Sequence, residues 1–404
     1  MDNDLLENVG ILIDTYIHLN IDLYIYPNFH STVVKSVAEL LNLTTADAFE
    51  GTIEEDMFNE VVEQGMALFY KHIMPSRSNG NTFIRIKPNV KQMRKKIEYL
   101  MNIPQPEQRT PAWYEFRSQC LTASNIWKAF ISESTRNQLI FEKCQPLNLE
   151  KYNGVCLDSP MHWGQKYEPL SIKLYEKIYK TKIRDFGCIP HKKERFLAAS
   201  PDGINTLETS ARYGRMLEVK NIVNREITGI PKMEYWIQMQ MQLEVCDLNE
   251  CDFLETRFQE YENVEAFEAD TLCKLTRGMI MLFMRGGQPV YEYAEPVYAE
   301  PVYALALENP YTHWQEAMME KHQDLTWLKN IYWKLDQLSC VLVLRNKVWF
   351  ASAIPTLKEI WQTIETEKKT GYHHRGPKKN VLKVKKLDGN NNNIMMPSKC
   401  FITI

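Results

Sequence analysis

The sequence predicts a mixed α/β protein: a mixed central sheet flanked by helices, preceded by a helical N-terminal domain. Helical periodicity fills the first hundred residues, as in SVAELLNL and EEDMFNEVVEQGMALFYKHIM. The linker MNIPQPEQRTP, with prolines at 104, 106 and 111, cannot continue a helix and marks a boundary before Trp113. From 113 to about 284, short apolar runs then mix with helical segments, which is the order of helices packed on a sheet.

Taken in order, residues 1–103 read as the helical N-terminal domain, closing on the turn-rich PSRSNGN and the basic RIKPNVKQMRKK. Residues 104–285 read as the core: two helical segments, the strands RDFGCIPH, RFLAASPDGI and RMLEVKNI, a long helix from about 232 to 245, and CDFLETRF. In 286–308 the pentapeptide AEPVY occurs twice in tandem; proline every fifth residue excludes a helix, and the duplication reads as a surface insertion. Residues 309–372 read as a helical, aromatic-rich part packing back on the core. Residues 373–404 are basic and then asparagine-rich, a solvated tail or an element that holds DNA or a partner.

A chain of 404 residues with 44% hydrophobic composition can bury a substantial core, and a net charge of −3 gives no overall bias toward nucleic acid. A DNA surface must then come from local placement of Lys and Arg. No apolar run reaches membrane-spanning length, and the acidic start MDNDLLEN lacks the basic region of a signal peptide, so a soluble intracellular protein is expected. The nine cysteines are scattered without a Cys-x-x-Cys, which signals neither a zinc ribbon nor an iron–sulfur cluster and predicts reduced thiols.

The chemistry concentrates at MLEVKNI, 216–222. Strand side chains alternate, so Glu218 and Lys220 share one face while Leu217, Val219 and Asn221 take the other. Charges in a buried strand are costly without compensation. Upstream, Pro201 and Gly203 bend the chain around Asp202 at the end of RFLAAS. Two carboxylates from neighbouring strands suit a hard cation such as Mg²⁺, to which the Val219 carbonyl adds a ligand. Lys220 beside them can orient or help deprotonate a water and balance charge on a phosphate. Alone, a Glu-x-Lys is an ordinary strand-end ion pair; the surrounding motifs change the reading.

Four motifs, between about 109 and 254, resemble the PD-(D/E)xK nucleases, within them the lambda exonuclease, YqaJ-type viral recombinase and alkaline exonuclease group. RTPAWYEFRSQCLTASNI is similar to a W-x-x-x-R…T-A-S block through Trp113, Arg117, Thr122, Ala123 and Ser124; MHWGQKYEP to a G-x-x-x-E helix through Gly164 and Glu168. SPDGI with LEVK matches the namesake core through Asp202, Glu218 and Lys220, and YWIQMQ the Y-x-x-Q-x-Q helix through Tyr235, Gln238 and Gln240. The resemblance implies a restriction-endonuclease-like core and a Mg²⁺-dependent 5′-to-3′ exonuclease on linear double-stranded DNA, with Mn²⁺ as substitute and two ions expected. It implies metal ligation by Asp202, Glu218, Val219 and Glu168, catalytic roles for these side chains with Lys220 and Gln238, and a 5′-phosphate grip from Arg117, Ser124 and Thr122, with Gln240 and Tyr235 on the DNA. A large DNA virus is the implied source, in host cytoplasm or replication site, with a single-strand annealing or binding protein as partner.

From the residues themselves, Arg117 offers a fork of donors to a phosphate, and Ser124 stands where a helix is expected to begin. Gly164 is expected to let its helix approach the sheet closely. Tyr235, Gln238 and Gln242 share one helical face, opposed by Trp236, Met239 and Leu243. His191 reads as a strand-end histidine, since one histidine makes no metal site. The rivals are an endonuclease or RNA-degrading nuclease of the same chemistry, and a non-catalytic DNA-binding or regulatory protein on a nuclease fold.

Overall fold

The computed structural model describes residues 3–20, 23, 29–45, 55–73, 77–79, 89–149, 156–157, 159–270, 276–297 and 311–376. Its first three helices, α1 (Asn3–Leu19), α2 (Phe29–Thr45) and α3 (Glu55–His72), enclose an apolar cluster of their own. Val9, Ile13 and Ile17, Val33, Val37 and Leu41, and Phe58, Val62, Met66 and Phe69 recur at helical spacing and are all buried.

The helix α4 (Val90–Asn102) opens on Asn89, whose side chain accepts from the Gln92 N–H at 3.2 Å, and it buries Leu100 in the main core. The core therefore starts at α4, ahead of the expected boundary at 104, because the apolar stripe of α4 faces the sheet layer. Next come α5 (Pro111–Ser118), β1 (Leu121–Thr122), α6 (Lys128–Ile131), α7 (Glu133–Cys144) and α8 (Pro160–Tyr179). The chain continues through β2 (Ile183–Arg184), β3 (Ile189–Pro190), β4 (Leu197–Ala199), β5 (Gly203–Asn205), β6 (Met216–Asn221), α9 (Met233–Val245) and β7 (Glu250–Glu260). Beyond are α10 (Val264–Ala269), β8 (Arg277–Arg285), β9 (Gln288–Tyr293), α11 (Thr312–Lys321), β10 (Thr326–Leu344) and α12 (Lys347–Thr370).

A seven-stranded sheet runs β2-β5-β6-β7-β10-β8-β9 and a three-stranded one β1-β4-β3. Within the large sheet β6 and β7 are parallel and the other pairs antiparallel. One face, with Met216, Cys251, Phe253 and Val343, packs under α9 and α12; the other, with Leu217, Val219, Leu254 and Phe258, packs under α8. This is the mixed α/β core that the sequence predicts.

The expected helical stretch after 309 is helical only in α11. The 19-residue β10 follows it and lies inside the sheet, between β7 and β8. In NIYWKLDQL, Ile331, Trp333 and Leu335 face one cluster while Tyr332 faces another, which is strand alternation that an aromatic-rich segment disguises. Trp333 is fully buried and its indole fills the space over its partner Gly278, where a Cβ would lie 2.5 Å from the ring. The core thus extends past 285 to the end of α12.

The insertion also begins later than 286. β9 pairs with β8, and Val297 of the first AEPVY exchanges backbone hydrogen bonds with Arg277 at 2.9 and 3.0 Å. The second AEPVY lies outside the described residues, as does the tail from 377 onward. The first tail residues dock on the core: Arg375 donates to both Glu367 carboxylate oxygens at 2.6 Å and to Asn137. Among the described residues seven cysteines are free thiols, and no helix is long and apolar enough to cross a membrane.

Candidate active site

The site forms where the sheet opens. β5 pairs with β6 only at Met216 and Leu217, so among the described residues no strand pairs with the next residues of β6 on that edge. Gly203 starts β5 against Ile183, whose side chain would lie 2.2 Å from a Cβ there, and this packing holds the preceding Asp202 at the opening. The Val219 N–H donates to Asp202 Oδ2 at 2.7 Å in place of a strand partner. An extended residue directs its N–H and C=O to the same edge, so the Val219 carbonyl faces the Asp202 side as well.

Glu218 and Lys220 leave β6 on the face covered by α9. Glu218 is completely buried, and Lys220 donates to its Oε1. From α9, Gln238 Nε2 donates to Glu218 Oε1 at 2.7 Å and Gln242 Nε2 to Oε2 at 2.8 Å. Gln242 was visible on the Gln238 face by spacing, but its part in holding Glu218 emerges only when α9 crosses β6. The Tyr235 ring lies 5.2 Å from Lys220 Nζ and 5.5 Å from the Arg225 guanidinium, so it packs against cations of the protein itself.

Gln240, expected on the DNA, is turned away. It is buried, donating to the Leu344 carbonyl at 2.9 Å and accepting from the Asn346 N–H at 2.6 Å. Two residues from Gln238 is about half a turn of helix, which places Gln240 on the opposite face, where it joins β10 to α12.

On the other face of the sheet α8 begins with Ser159 accepting from the His162 N–H and Pro160 in the first turn. Glu168 projects from it into a cavity of about 680 Å³ that Asp202 also lines. Gly164 does not act by close approach, since a Cβ there would meet nothing within 4 Å; its carbonyl instead accepts from Asn221 Nδ2 at 2.9 Å. Sequence reasoning missed Arg109, whose Nη2 donates to Glu168 Oε2 at 3.1 Å.

Burial pushes the Asp202 carboxyl well above the ordinary carboxylate range, and the negative charges of Glu218 and Glu168 push it further, against the pull of Lys220 and the Val219 N–H. Burial likewise raises Glu168, with Arg109 pulling it back. Burial alone would lower the Lys220 ammonium, but Glu218 and Asp202 outweigh it and hold it above its ordinary value. In this state Lys220 is a cation and a donor rather than a proton acceptor.

Among the described residues no three His, Cys, Asp or Glu side chains converge as a ready-made metal cage. Mg²⁺ requires less: one or two carboxylates, with waters and substrate phosphate completing an oxygen shell. Asp202 and Glu218 with the Val219 carbonyl fit that demand, Glu168 is near enough to raise the Asp202 carboxyl, and the carboxylates repel one another in the absence of a cation.

A second group lies beside the first. Arg117 stacks on Trp113 with its guanidinium carbon 4.1 Å from the ring centroid and donates to Ser124 Oγ at 3.0 Å; Thr122 Oγ1 is 3.4 Å from the same hydroxyl. Trp113 Nε1 donates to Ser200 Oγ at 3.3 Å, two residues from Asp202, which links the two groups. Ser124 does not open a helix: it lies in a turn, and α6 is a single turn starting four residues later. His191 is buried and structural, its Nδ1 accepting from the Glu194 N–H at 2.8 Å.

A mimivirus protein, uncharacterized protein R354 of Acanthamoeba polyphaga mimivirus, is 27% identical over 308 residues, covering 67% of this chain and 54% of the relative. The chain thus spans about half the length of the curated relative it matches. Among solved structures, the alkaline exonuclease LHK-Exo of Laribacter hongkongensis matches at 17% identity with a TM-score of 0.38, over 65% of this chain and 95% of that one. The same enzyme in complex with dAMP matches at 16% identity with a TM-score of 0.37. Residues 112–249, which span the Arg117 group and both strands of the carboxylate site as far as α9, match the YqaJ-like viral recombinase domain.

Proposed function

We propose that this chain is a divalent-cation-dependent nuclease that digests linear double-stranded DNA from the 5′ end, leaving 3′ single strands for recombination, repair or viral genome processing. The observation that carries the reading is the convergence of Asp202, Glu218 and Lys220 at the β5–β6 opening, with Gln238 and Gln242 fixing Glu218. The YqaJ-like match of the same residues supports it.

Asp202, Glu218, Glu168 and the Val219 carbonyl are the residues that would hold Mg²⁺ or Mn²⁺. When bound, such an ion supplies Lewis acidity toward a phosphate and a water activated near neutral pH. Lys220, kept cationic by its carboxylate neighbours, balances negative charge as it builds on the scissile phosphate. Gln238 and Gln242 restrict Glu218 to one rotamer by bonding both of its oxygens. Arg117, oriented by Trp113 and Ser124, offers a fork of donors to a terminal phosphate, which favours ends over internal backbone. DNA ends are thus the proposed partner, with a single-strand annealing or binding protein to receive the product.

One gel tests the reading: end-labelled linear duplexes with 5′-phosphate or 5′-hydroxyl, beside closed circular DNA and RNA, each with Mg²⁺, Mn²⁺, Ca²⁺ or EDTA. Cleavage of 5′-phosphorylated linear duplex with Mg²⁺ or Mn²⁺, lost in EDTA, is expected. Equal cutting of circular and linear duplex would favour the endonuclease reading, and no cutting under any condition would leave a DNA-binding protein.

A further inference from the structure

Arg109 occupies a left-handed backbone conformation, φ 66°, which glycine adopts freely and an arginine adopts only under constraint. The constraint is visible on both sides. Gln105 donates to the Leu100 carbonyl at 2.8 Å and accepts from the Gly187 N–H at 2.7 Å, and Gln108 donates to the Phe186 carbonyl at 2.8 Å. Thr110 donates to the Glu107 carbonyl at 2.7 Å and accepts from the Trp113 N–H at 3.3 Å, opening α5. These bonds fix the main chain and would hold it equally well with a glycine at 109.

What the arginine adds is its side chain, which reaches the wall of the cavity that Glu168 and Asp202 line. There it pairs with Glu168, but the pair is open to water, with the Arg109 side chain 49% exposed and that of Glu168 29%. An ion pair so exposed stabilises a fold little, so stability does not account for an arginine at this position. The electrostatics of the site do. Lys220 is bonded to Glu218, and Arg109 is the cation bonded to Glu168. A divalent ion that engages Glu168 competes with the guanidinium for the same carboxylate. The freed guanidinium then presents a planar fork of donors beside the site, a geometry suited to two oxygens of one phosphate.

We propose that Arg109 is a substrate-contacting residue that changes partner: its guanidinium neutralises Glu168 in the free protein and passes to a phosphate of the bound DNA strand once Glu168 engages the divalent cation. This rests on the nuclease reading above and adds a contact outside the Arg117 group.

The test uses the full chain as wild type, Arg109→Gly and Arg109→Lys, with thermal unfolding, Mg²⁺ titration by calorimetry without DNA, and steady-state cleavage of linear duplex. Arg109→Gly relieves the backbone conformation, so its Tm equals or exceeds that of wild type. It binds Mg²⁺ more tightly, because nothing competes for Glu168, yet its kcat/KM falls by about tenfold to a hundredfold through the lost phosphate contact. Arg109→Lys keeps the charge without the fork and falls between. Arg109→Gly with wild-type kcat/KM, or with a lowered Tm that activity merely follows, overturns the proposal and leaves the nuclease reading standing. A wild type that neither binds Mg²⁺ nor cuts DNA overturns both.

Discussion

Two clusters of charge flank the β6–β7 pair, one enclosed under α8 and one at the β5–β6 opening. On the α8 face Asp252 is almost wholly buried, and each of its oxygens has a partner: Oδ1 accepts from Arg215 at 2.9 Å, and Oδ2 accepts from the Tyr175 hydroxyl at 2.5 Å and from Arg212. Arg215 also donates to Glu250 at 3.0 Å, so two carboxylates meet two guanidiniums. At the β5–β6 opening, Lys220 bonds Glu218 and Arg109 bonds Glu168, while the partner of Asp202 is the Val219 N–H rather than a cationic side chain. The first cluster is closed and neutral, and its groups lock α8 to the sheet. The second is left short of positive charge, and that deficit is what a cation would fill.

The largest expected effect breaks the open cluster. Asp202→Ala, Glu218→Ala or Lys220→Ala should lower turnover by about a thousandfold or more, equivalent to about 4 kcal/mol of barrier, with the fold retained by circular dichroism. More than about a tenth of wild-type turnover at saturating Mg²⁺ in any of them would remove that residue from the proposed machinery.

Next comes the closed cluster. Asp252→Ala leaves Arg212 and Arg215 buried without their shared carboxylate and should cost about 3–5 kcal/mol of unfolding free energy in urea titration. A loss under about 1 kcal/mol would mean that the two clusters do not differ as described.

A smaller effect sharpens the roles within the site. Arg117→Ala should lose about 1.5–3 kcal/mol in kcat/KM on 5′-phosphorylated ends and far less on 5′-hydroxyl ends, because the charge-assisted contact exists only where there is a phosphate. A defect indifferent to the end would assign Arg117 to the fold rather than to the DNA.

The smallest is electrostatic. The folded-state Asp202 and Glu168 carboxyls are raised above the ordinary carboxylate range. Their contribution to stability is therefore full below that range and is lost as pH rises through the raised values. Cation-free protein should lose a few degrees of Tm as pH rises above the ordinary carboxylate range, and the gain from Mg²⁺ should grow with the same rise. Asp202→Asn should flatten the slope without Mg²⁺; a slope as steep as that of wild type would place the destabilising charge elsewhere.

Much of the site was legible because it rests on short-range rules. A two-residue spacing on a strand puts Glu218 and Lys220 on one face whatever surrounds them, and Pro201–Asp202–Gly203 reads as a bend at a strand end. A spacing of three and seven groups Tyr235, Gln238 and Gln242 on one face of α9. Gln240, one strand-like step from Gln238, was misplaced because a motif was read without the half-turn that separates the two around a helix. Arg109 was invisible because nothing local to EQRTP announces a left-handed residue; the hydrogen bonds of Gln105 and Gln108 to segment 186–187 impose it.

By itself, then, the sequence determined the periodicities and the spacing of charges, since these depend on residues within a turn or two of one another. Only the tertiary structure decided that β10 enters the sheet between β7 and β8, that Gln242 grips Glu218, and that Asp252 meets two guanidiniums while Asp202 meets a backbone N–H. A local pattern states which side chains share a face. What meets that face depends on partners 20 to 80 residues away, such as Gln238 for Glu218 and Gln337 for Arg257, whose approach is set by how all the layers pack at once.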